Sequence, residues 1–159
     1  MNKSARNPKD KSEDTSSTSP NKMIEANLQA AQFARVRTAQ QTEKAEDYVE
    51  MIDDLINAYG EARIVDLAER SGVSHATVNK IIKRLQRDGL VHTRPYRSIF
   101  LTPDGENLAN TSRERHKIVL EFLSAIGVSE RNAQLDAEGI EHYVSQETLN
   151  AFSKFINKK

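Results

Sequence analysis

The sequence contains no cysteine and no tryptophan. The lack of cysteine excludes a disulfide framework, a thiolate metal site and a cysteine nucleophile. No apolar run approaches the ~18 residues that a membrane span requires, and the first residues do not have the pattern of a signal peptide. We therefore expect a soluble, cytoplasmic protein that has no membrane partner.

The chain also has no excess of charge, because 23 Lys and Arg are balanced by 23 Asp and Glu in 159 residues. A formal net charge of zero indicates no partner class, so the distribution of charge is more informative than its sum. With 37% hydrophobic and 29% charged residues, the composition suits a small helical protein with large polar faces. The length fits one domain, or two very small ones.

Composition and periodicity divide the chain into segments. Residues 1–22 are almost all Ser, Thr, Asn, Lys, Asp and Pro, which predicts a disordered tail. Residues 23–42 turn to Ala, Gln and Arg, which predicts a helical extension. Apolar residues at helical spacing then predict helices and two β-prone runs. The helices are expected over 44–59, 64–71, 74–87, 103–126, 130–144 and 146–157, and the β-prone runs over 90–93 and 98–102.

The segment 64–83 has the spacing of a helix-turn-helix. Ala68 is small where two helices must touch, and Gly72 falls where the turn requires a positive φ. Ser74 is placed to cap the second helix. The expected core-facing residues of this motif are Leu67, Val73, Val78 and Ile81. The β-prone runs that follow predict a hairpin, which makes the module a winged helix over 43–102.

Charge on this module favours DNA as a partner. Seven basic residues and one acidic residue lie between Arg70 and Arg97, so phosphates would attract the segment and salt would weaken binding. Asn79 suits adenine and Lys80 suits guanine. The candidate DNA contacts are Ser74, His75, Ala76, Thr77, Asn79, Lys80, Lys83, Arg84, Arg94 and Arg97. A solvated basic face on a helical bundle is the alternative interpretation.

Two acidic clusters are not explained by DNA binding. One is a stripe on the helix 44–59, and steps of three and four place its members on one face: Glu43, Asp47, Glu50 and Asp54. The other is Glu138, Glu141 and His142, which share a helical face at i, i+3 and i+4. For the stripe alone, a solvated acidic edge is the simpler explanation.

His116 adds a third element, on the core-facing side of the helix 103–126. Taken alone it is better explained as a hydrogen-bonded core histidine than as a metal ligand. Together, the three elements offer six oxygen and nitrogen donors and no sulfur, which exceeds one tetrahedral zinc shell. The set fits one octahedral centre or two neighbouring ones, and its softness favours Mn(II), then Fe(II).

A winged helix with this donor set resembles the diphtheria-toxin-repressor family, and within it the manganese transport regulator branch. The resemblance runs from about residue 46 to residue 158. Its most specific motifs are Asp47-Tyr48-Val49-Glu50, Gly60-Glu61-Ala62-Arg63, Arg115-His116 and Asp136-Ala137-Glu138-Gly139-Ile140-Glu141-His142. The fold implied is mainly α: a winged helix-turn-helix with a small hairpin wing, then an all-helical metal-binding and dimerisation domain over 103–159.

The resemblance also implies a ligand set, which is Asp47, Glu50, His116, Glu138, Glu141 and His142. In the iron-responsive branch a Met and a Cys replace Asp47 and Glu141, so the carboxylates here match the manganese pattern. The implied protein is a homodimer that binds a palindromic operator and two Mn(II) ions per subunit, with Fe(II) and other divalent ions as alternatives. It would be a regulator and not an enzyme, repressing manganese uptake genes when loaded with metal, and some members of the family also activate export genes.

Other functions remain open on the residues alone. A winged-helix regulator that senses an organic ligand would have a roomy apolar pocket and no response to metal. A metal-dependent hydrolase would also use carboxylates and histidine, but the sequence has no Gly-rich phosphate loop, no Ser–His–Asp arrangement and no HExxH. A purely structural DNA binder would show little sequence preference.

Overall fold

The computed structural model of the chain describes residues 23–94 and 98–158. The predicted tail 1–22, the hairpin tip that carries Arg97, and residue 159 lie outside the described residues. In chain order the elements are α1 (Ala26–Tyr59), β1 (Ala62–Arg63), α2 (Ile64–Ser71), α3 (His75–Arg87), β2 (Val91–Thr93), β3 (Ser98–Leu101), α4 (Pro103–Ala125), α5 (Glu130–Ile140) and α6 (Gln146–Ile156). A mainly helical fold with a small sheet is confirmed.

Helix α1 joins two segments that the sequence analysis treats separately. The predicted extension 23–42 and the predicted helix 44–59 form one continuous helix of 34 residues, because no Gly or Pro interrupts the Ala- and Gln-rich run. The helix ends at Gly60, whose φ of 82° is left-handed and whose N–H donates to the Ile56 carbonyl at 2.8 Å. The side chains of 23–38 are exposed, so this first part of α1 protrudes from the rest of the subunit.

The helix-turn-helix has the predicted geometry. Gly72 ends α2 with a φ of 67°, and the Ser74 hydroxyl accepts the Thr77 N–H at 3.2 Å at the start of α3. One core prediction is wrong: Val73 is 38% exposed, while Ile82 is buried. The reason is that Val73 lies in the turn before α3 begins, whereas Ile82 lies one helical turn after Val78, on its buried face.

The sheet has the order β1–β3–β2 and is antiparallel throughout. Its pairing places Ala62 opposite Ile99 and Val91 opposite Leu101. Strand β1 was not predicted, because a two-residue strand has no periodicity and forms only by pairing with the distant strand β3. Side chains of the sheet and of α1–α3, with one residue of α4, form the main core: Tyr48, Val49, Ile52, Leu55, Ala62, Leu67, Ala68, Val78, Ile82, Leu85, Val91, Ile99, Leu101 and, from α4, Ala109.

Helices α4–α6 form the C-terminal half around a smaller core. Thr102 caps α4 and Pro103 occupies its first turn; the Thr102 hydroxyl accepts the Gly105 N–H at 3.1 Å. The small core consists of Val119, Leu123, Ala133, Ala137 and Leu149. Among the described residues, no helix is long and apolar enough to cross a membrane.

The end of α5 differs from the prediction, because the helix stops at Ile140 rather than at residue 144. Residues 141–143 form a turn. The Arg115 side chain on α4 donates to the Glu141 carbonyl at 3.0 Å and to the Val144 carbonyl at 3.3 Å. These bonds satisfy carbonyls that the end of a helix leaves without intrahelical partners, so the chain can turn here.

Candidate metal centre and DNA-binding surface

A cleft of about 690 Å³ is bordered by α1, α4 and the end of α5. Five of the six candidate metal ligands line it, from three different helices: Asp47, Glu50, His116, Glu138 and Glu141. The sixth, His142, contacts the cleft through Glu141 and Asp47, to which its Nε2 lies at 3.5 Å and 3.4 Å. The structure thus brings the three separate stretches of chain together; their role in metal binding stays a prediction.

The first donor group is His116, Glu138 and Glu141, whose ligand atoms lie within 4.8 Å of one another. His116 Nδ1 lies 2.6 Å from Glu141 Oε2 and 3.7 Å from Glu138 Oε1. His116 is hydrogen-bonded, as the simpler expectation had it, but it lines the cleft and belongs to neither core cluster of the described residues. The hydrogen bond to Glu141 does not conflict with metal binding, because Glu141 is itself a potential ligand.

The second donor group is Glu43, Asp47 and His142, again within 4.8 Å. His142 Nδ1 is 2.6 Å from Glu46 Oε2, which fixes the ring so that Nε2 faces Asp47. A ligating histidine almost always donates its other ring N–H to a carboxylate, a backbone carbonyl or water, and Glu46 supplies a carboxylate here. Glu50 borders both groups in the cleft without being a member of either.

Burial and crowding of charge shift the pKa values of the buried groups. Burial raises the pKa of Glu141 to about 7, against the opposing influence of His116 and His142. Burial acts to lower the pKa of His142, but the Asp47 and Glu46 carboxylates outweigh it and raise that pKa to about 10. Burial also raises the pKa of Glu50, with Ser112 and Arg113 acting against it. At neutral pH the site therefore holds a protonated imidazole among acids.

Ion pairs join the two halves beside the cleft. Arg113 on α4 contacts Asp53 Oδ2 at 2.5 Å and Asp54 Oδ1 at 2.6 Å on α1. Arg115, two residues on, holds the turn that carries Glu141 and His142. Side chains of α4 therefore support the donor groups, because they contact both α1 and the turn after α5.

Sequence reasoning missed Glu46 and Tyr143. Glu46 is buried and sits on the apolar side of α1 next to Val49, and an acid at an apolar position was the available signal. The Tyr143 hydroxyl donates to Glu43 Oε2 at 3.0 Å. No local pattern indicates that bond, which joins residues 100 positions apart.

The chemistry of the donors fits a divalent cation. Carboxylate oxygens and imidazole nitrogens from two adjacent groups offer a hard to borderline set with no sulfur, which suits Mn(II) and Fe(II) better than soft ions. Like charges this close repel one another, and a bound cation would remove that repulsion. The arrangement can therefore hold a divalent cation. The group of Glu43, Asp47 and His142 joins α1 to the C-terminal half, whereas the group of His116, Glu138 and Glu141 lies within the C-terminal half.

The predicted DNA contacts lie on the exposed face of α3 and at the wing. Among the described residues the exposed ones are Ser74, His75, Ala76, Thr77, Asn79, Lys80, Lys83, Arg84 and Arg94; Arg97 lies outside the described residues. A groove between α3 and the wing is lined by Asn79, Lys83 and Arg94, among others. The Arg94 guanidinium sits 4.5 Å from the Phe100 ring centroid, a contact that orients it at the wing.

A winged helix whose first helix also lines an oxygen- and nitrogen-donor cleft defines a metal-responsive DNA-binding regulator. The N-terminal DNA binding domain of iron dependent repressors matches residues 40–99, and their metal binding and dimerisation domain matches residues 102–159. The chain belongs to this family of metal-dependent, DNA-binding transcriptional regulators, whose members are not enzymes.

Similar proteins carry related names. The transcriptional regulator MntR of Escherichia coli O157:H7 is 55% identical over 126 residues, which are 79% of this chain and 81% of the relative. The HTH-type transcriptional regulator MntR of Geobacillus kaustophilus is 36% identical over 115 residues, 72% of this chain and 82% of the relative.

Solved structures share the fold. The manganese regulator SloR has a TM-score of 0.63 at 27% identity, over 72% of this chain and 54% of that one. A manganese-dependent transcriptional repressor in complex with manganese has a TM-score of 0.59 at 28% identity, over 71% and 52%. The chain spans about half the length of these two structures.

Proposed function

We propose that the chain is a Mn(II)-dependent regulator that represses manganese uptake genes when loaded with metal. The observation that carries the proposal is the assembly of two O/N donor groups in and beside the cleft, one from α4 and the end of α5 and one from α1 and His142. Relatives named MntR and a structural neighbour titled as a manganese complex support manganese as the metal. The carboxylate of Glu141 supports it too, because a thiolate at that position would favour softer ions.

The six proposed ligands are those that line or contact the cleft: Asp47, Glu50, His116, Glu138, Glu141 and His142. Two ions per subunit would match the two groups of three donors. Each ion would supply two positive charges to a site that is crowded with carboxylates. His142, protonated in the metal-free protein, would give up its Nε2 proton to ligate through that atom.

These residues offer a physical route from metal to DNA. Asp47 and Glu50 belong to α1, which packs into the core of the winged helix, whereas Glu138, Glu141 and His142 belong to the C-terminal half. Joint ligation would fix the orientation of one half against the other. We further propose that 43–102 reads DNA, that 103–159 binds metal and dimerises, and that 23–42 extends α1.

The DNA target follows from the proposed homodimer. Two copies related by a two-fold axis would read a palindromic operator with half-sites about 34 Å, or a multiple of that, apart. A small change in orientation of the two halves then matters at the recognition helices. Ligand-dependent coupling of this kind is typically about 1–3 kcal/mol, or roughly 5- to 150-fold in affinity.

Selection from a random duplex DNA library tests the function without a known operator. We expect a two-fold symmetric sequence to be enriched with Mn(II) and not with a chelator. The selected duplex is then titrated with the Glu138→Ala and His142→Ala variants, which should fold but lose the metal response. Enrichment that is equal with and without metal, or unchanged stimulation in both variants, would reject the proposal.

Thermal unfolding of the protein tests the alternative of an organic ligand. An organic effector would leave Mn(II) without effect on the thermal unfolding of the protein, whereas a bound ion stabilises the folded state by mass action. We expect a rise in the unfolding temperature with Mn(II) in the natural sequence and a much smaller one in His142→Ala.

A further inference from the structure

We propose that Glu43 is an additional cation ligand, held in place by Tyr143, so that one metal group of this chain is Glu43, Asp47 and His142. The inference rests on the proposed function and adds a residue to its site. Glu43 is absent from the ligand set that family resemblance implies.

The first step concerns His142. Its side chain is 2% exposed and its Nδ1 is bound to Glu46 at 2.6 Å. The atom that remains for a cation is therefore Nε2, which lies 3.4 Å from Asp47 Oδ1. A cation placed on Nε2 must complete its coordination with groups on that side of the ring.

The second step concerns the position of Glu43. It lies one helical turn before Asp47 on α1, so both carboxylates project from the same face. Ligand atoms of Glu43, Asp47 and His142 lie within 4.8 Å of one another, a span that one ion with ligand bonds of roughly 2.0–2.6 Å can bridge. The continuous helix through residue 43 provides this placement, because a break near residue 42 would not fix it.

The third step concerns orientation. The Tyr143 hydroxyl donates to Glu43 Oε2 at 3.0 Å, and a carboxylate has a second oxygen with which to ligate. Tyr143 directly follows His142, so the residue that positions Glu43 and the ring that would share its ion move together. Tyr143 is thus a positioning residue and Glu43 a ligand.

Calorimetric titration of the full chain with MnCl₂ tests the assignment. For Glu43→Gln we expect one class of Mn(II) sites to weaken by at least about tenfold while the other class keeps its affinity. Glu114→Gln removes an exposed acid from α4 and serves as the matched control, with an isotherm like that of the natural sequence. Tyr143→Phe should weaken the same class of sites as Glu43→Gln, by a smaller factor.

Glu43→Asp separates ligation from simple charge. This variant keeps the negative charge but shortens the side chain, so a ligand role predicts weakened Mn(II) binding. Wild-type Mn(II) binding in Glu43→Asp would show that Glu43 acts only as a nearby charge, and it would overturn the assignment. An unchanged isotherm for Glu43→Gln would overturn it as well. If the natural sequence itself bound no Mn(II), the proposed function would fail together with this inference; if only the Glu43 variants behaved as wild type, the proposed function would stand.

Discussion

Among the described residues of the DNA-binding half, α1 to β3, thirteen belong to one buried cluster, which Ala109 of α4 completes. The C-terminal half, α4 to α6, has a cluster of five, two of which are alanines. Large apolar side chains of the C-terminal half remain exposed, among them Ile126, Leu135 and Phe155. The first half therefore has the larger buried cluster among the described residues, while both halves leave large apolar side chains exposed. Those of the C-terminal half are surface that a partner subunit can cover.

The boundary between the halves also carries charged contacts, beside the apolar ones that Leu108 and Ala109 of α4 make with the main core. Arg113 pairs with Asp53 and Asp54, and His142 binds Glu46. Packed apolar cores resist gradual deformation, while a boundary of carboxylates and imidazoles responds to protons and cations. We therefore expect the DNA-binding half to behave as a rigid unit and the boundary to be the part of the molecule that responds to protons and cations.

The largest expected difference between the halves is in stability. Leu67→Ala removes a fully buried side chain from the larger core and should lower the free energy of unfolding by about 2–5 kcal/mol. Leu149→Ala in the small core should fall at the lower end of that range, because its partly exposed neighbours can relax around the gap. Urea unfolding followed by circular dichroism at matched protein concentration measures both. A greater loss for Leu149→Ala would contradict the comparison.

Protons should compete with metal at the boundary. His142, with a pKa raised to about 10, and Glu141, with a pKa raised to about 7, hold protons that ligation must displace. As the pH rises, removal of these protons costs less, so Mn(II) affinity should increase by about tenfold or more per pH unit between pH 6 and 8. Calorimetry in buffers of different ionisation enthalpy would show proton release. A pH-independent affinity would argue against the site.

The turn after α5 should depend on Arg115. Arg115→Lys keeps the charge but loses the planar guanidinium that donates to the Glu141 and Val144 carbonyls. We expect Mn(II) binding to weaken by about 10- to 100-fold, as for other groups that orient ligands, with little change in metal-free DNA binding. Arg131→Lys, on the exposed surface of α5, is the control. Equal Mn(II) affinities of Arg115→Lys and Arg131→Lys would show that the hydrogen bonds of the Arg115 guanidinium are not needed.

Helix caps give the smallest expected effects, and these should be similar in the two halves. Ser74 and Ser145 each accept a backbone N–H at 3.2 Å at the start of a helix, so replacement of either by Ala should cost about 1 kcal/mol. Ser129 makes no such bond with the described backbone of α5, and Ser129→Ala should cost much less. Thermal unfolding of the three variants measures these costs. A loss of stability in Ser129→Ala as large as that in Ser74→Ala would contradict the prediction.

Much of the DNA-binding half could be predicted because its signals are local. Gly72 and Ser74 mark the turn and the cap within a few residues, and helical periodicity marks the buried face of α1. Strand β1 and the exposure of Val73 escaped prediction, because they depend on where distant segments pack.

The site shows the same division between local and distant information. Spacing predicted one helical face for Glu138, Glu141 and His142, but α5 ends at Ile140 and His142 belongs to a different donor group from the two glutamates. The choice of ring nitrogen on His142 could not be predicted, because Glu46 sets it from 96 residues away. The same holds for Tyr143 and Glu43, which no shared segment connects.

The central claim is that a cation at the boundary fixes one half against the other, and energy transfer within the dimer tests it most directly. The absence of cysteine allows a single label site, Glu69→Cys on the exposed surface of α2, in mixed donor- and acceptor-labelled protein. We predict that Mn(II) shifts or narrows the distance distribution between subunits and that His142→Ala removes this response. A distribution that is identical with and without Mn(II), in a protein shown to bind the ion, would contradict the account.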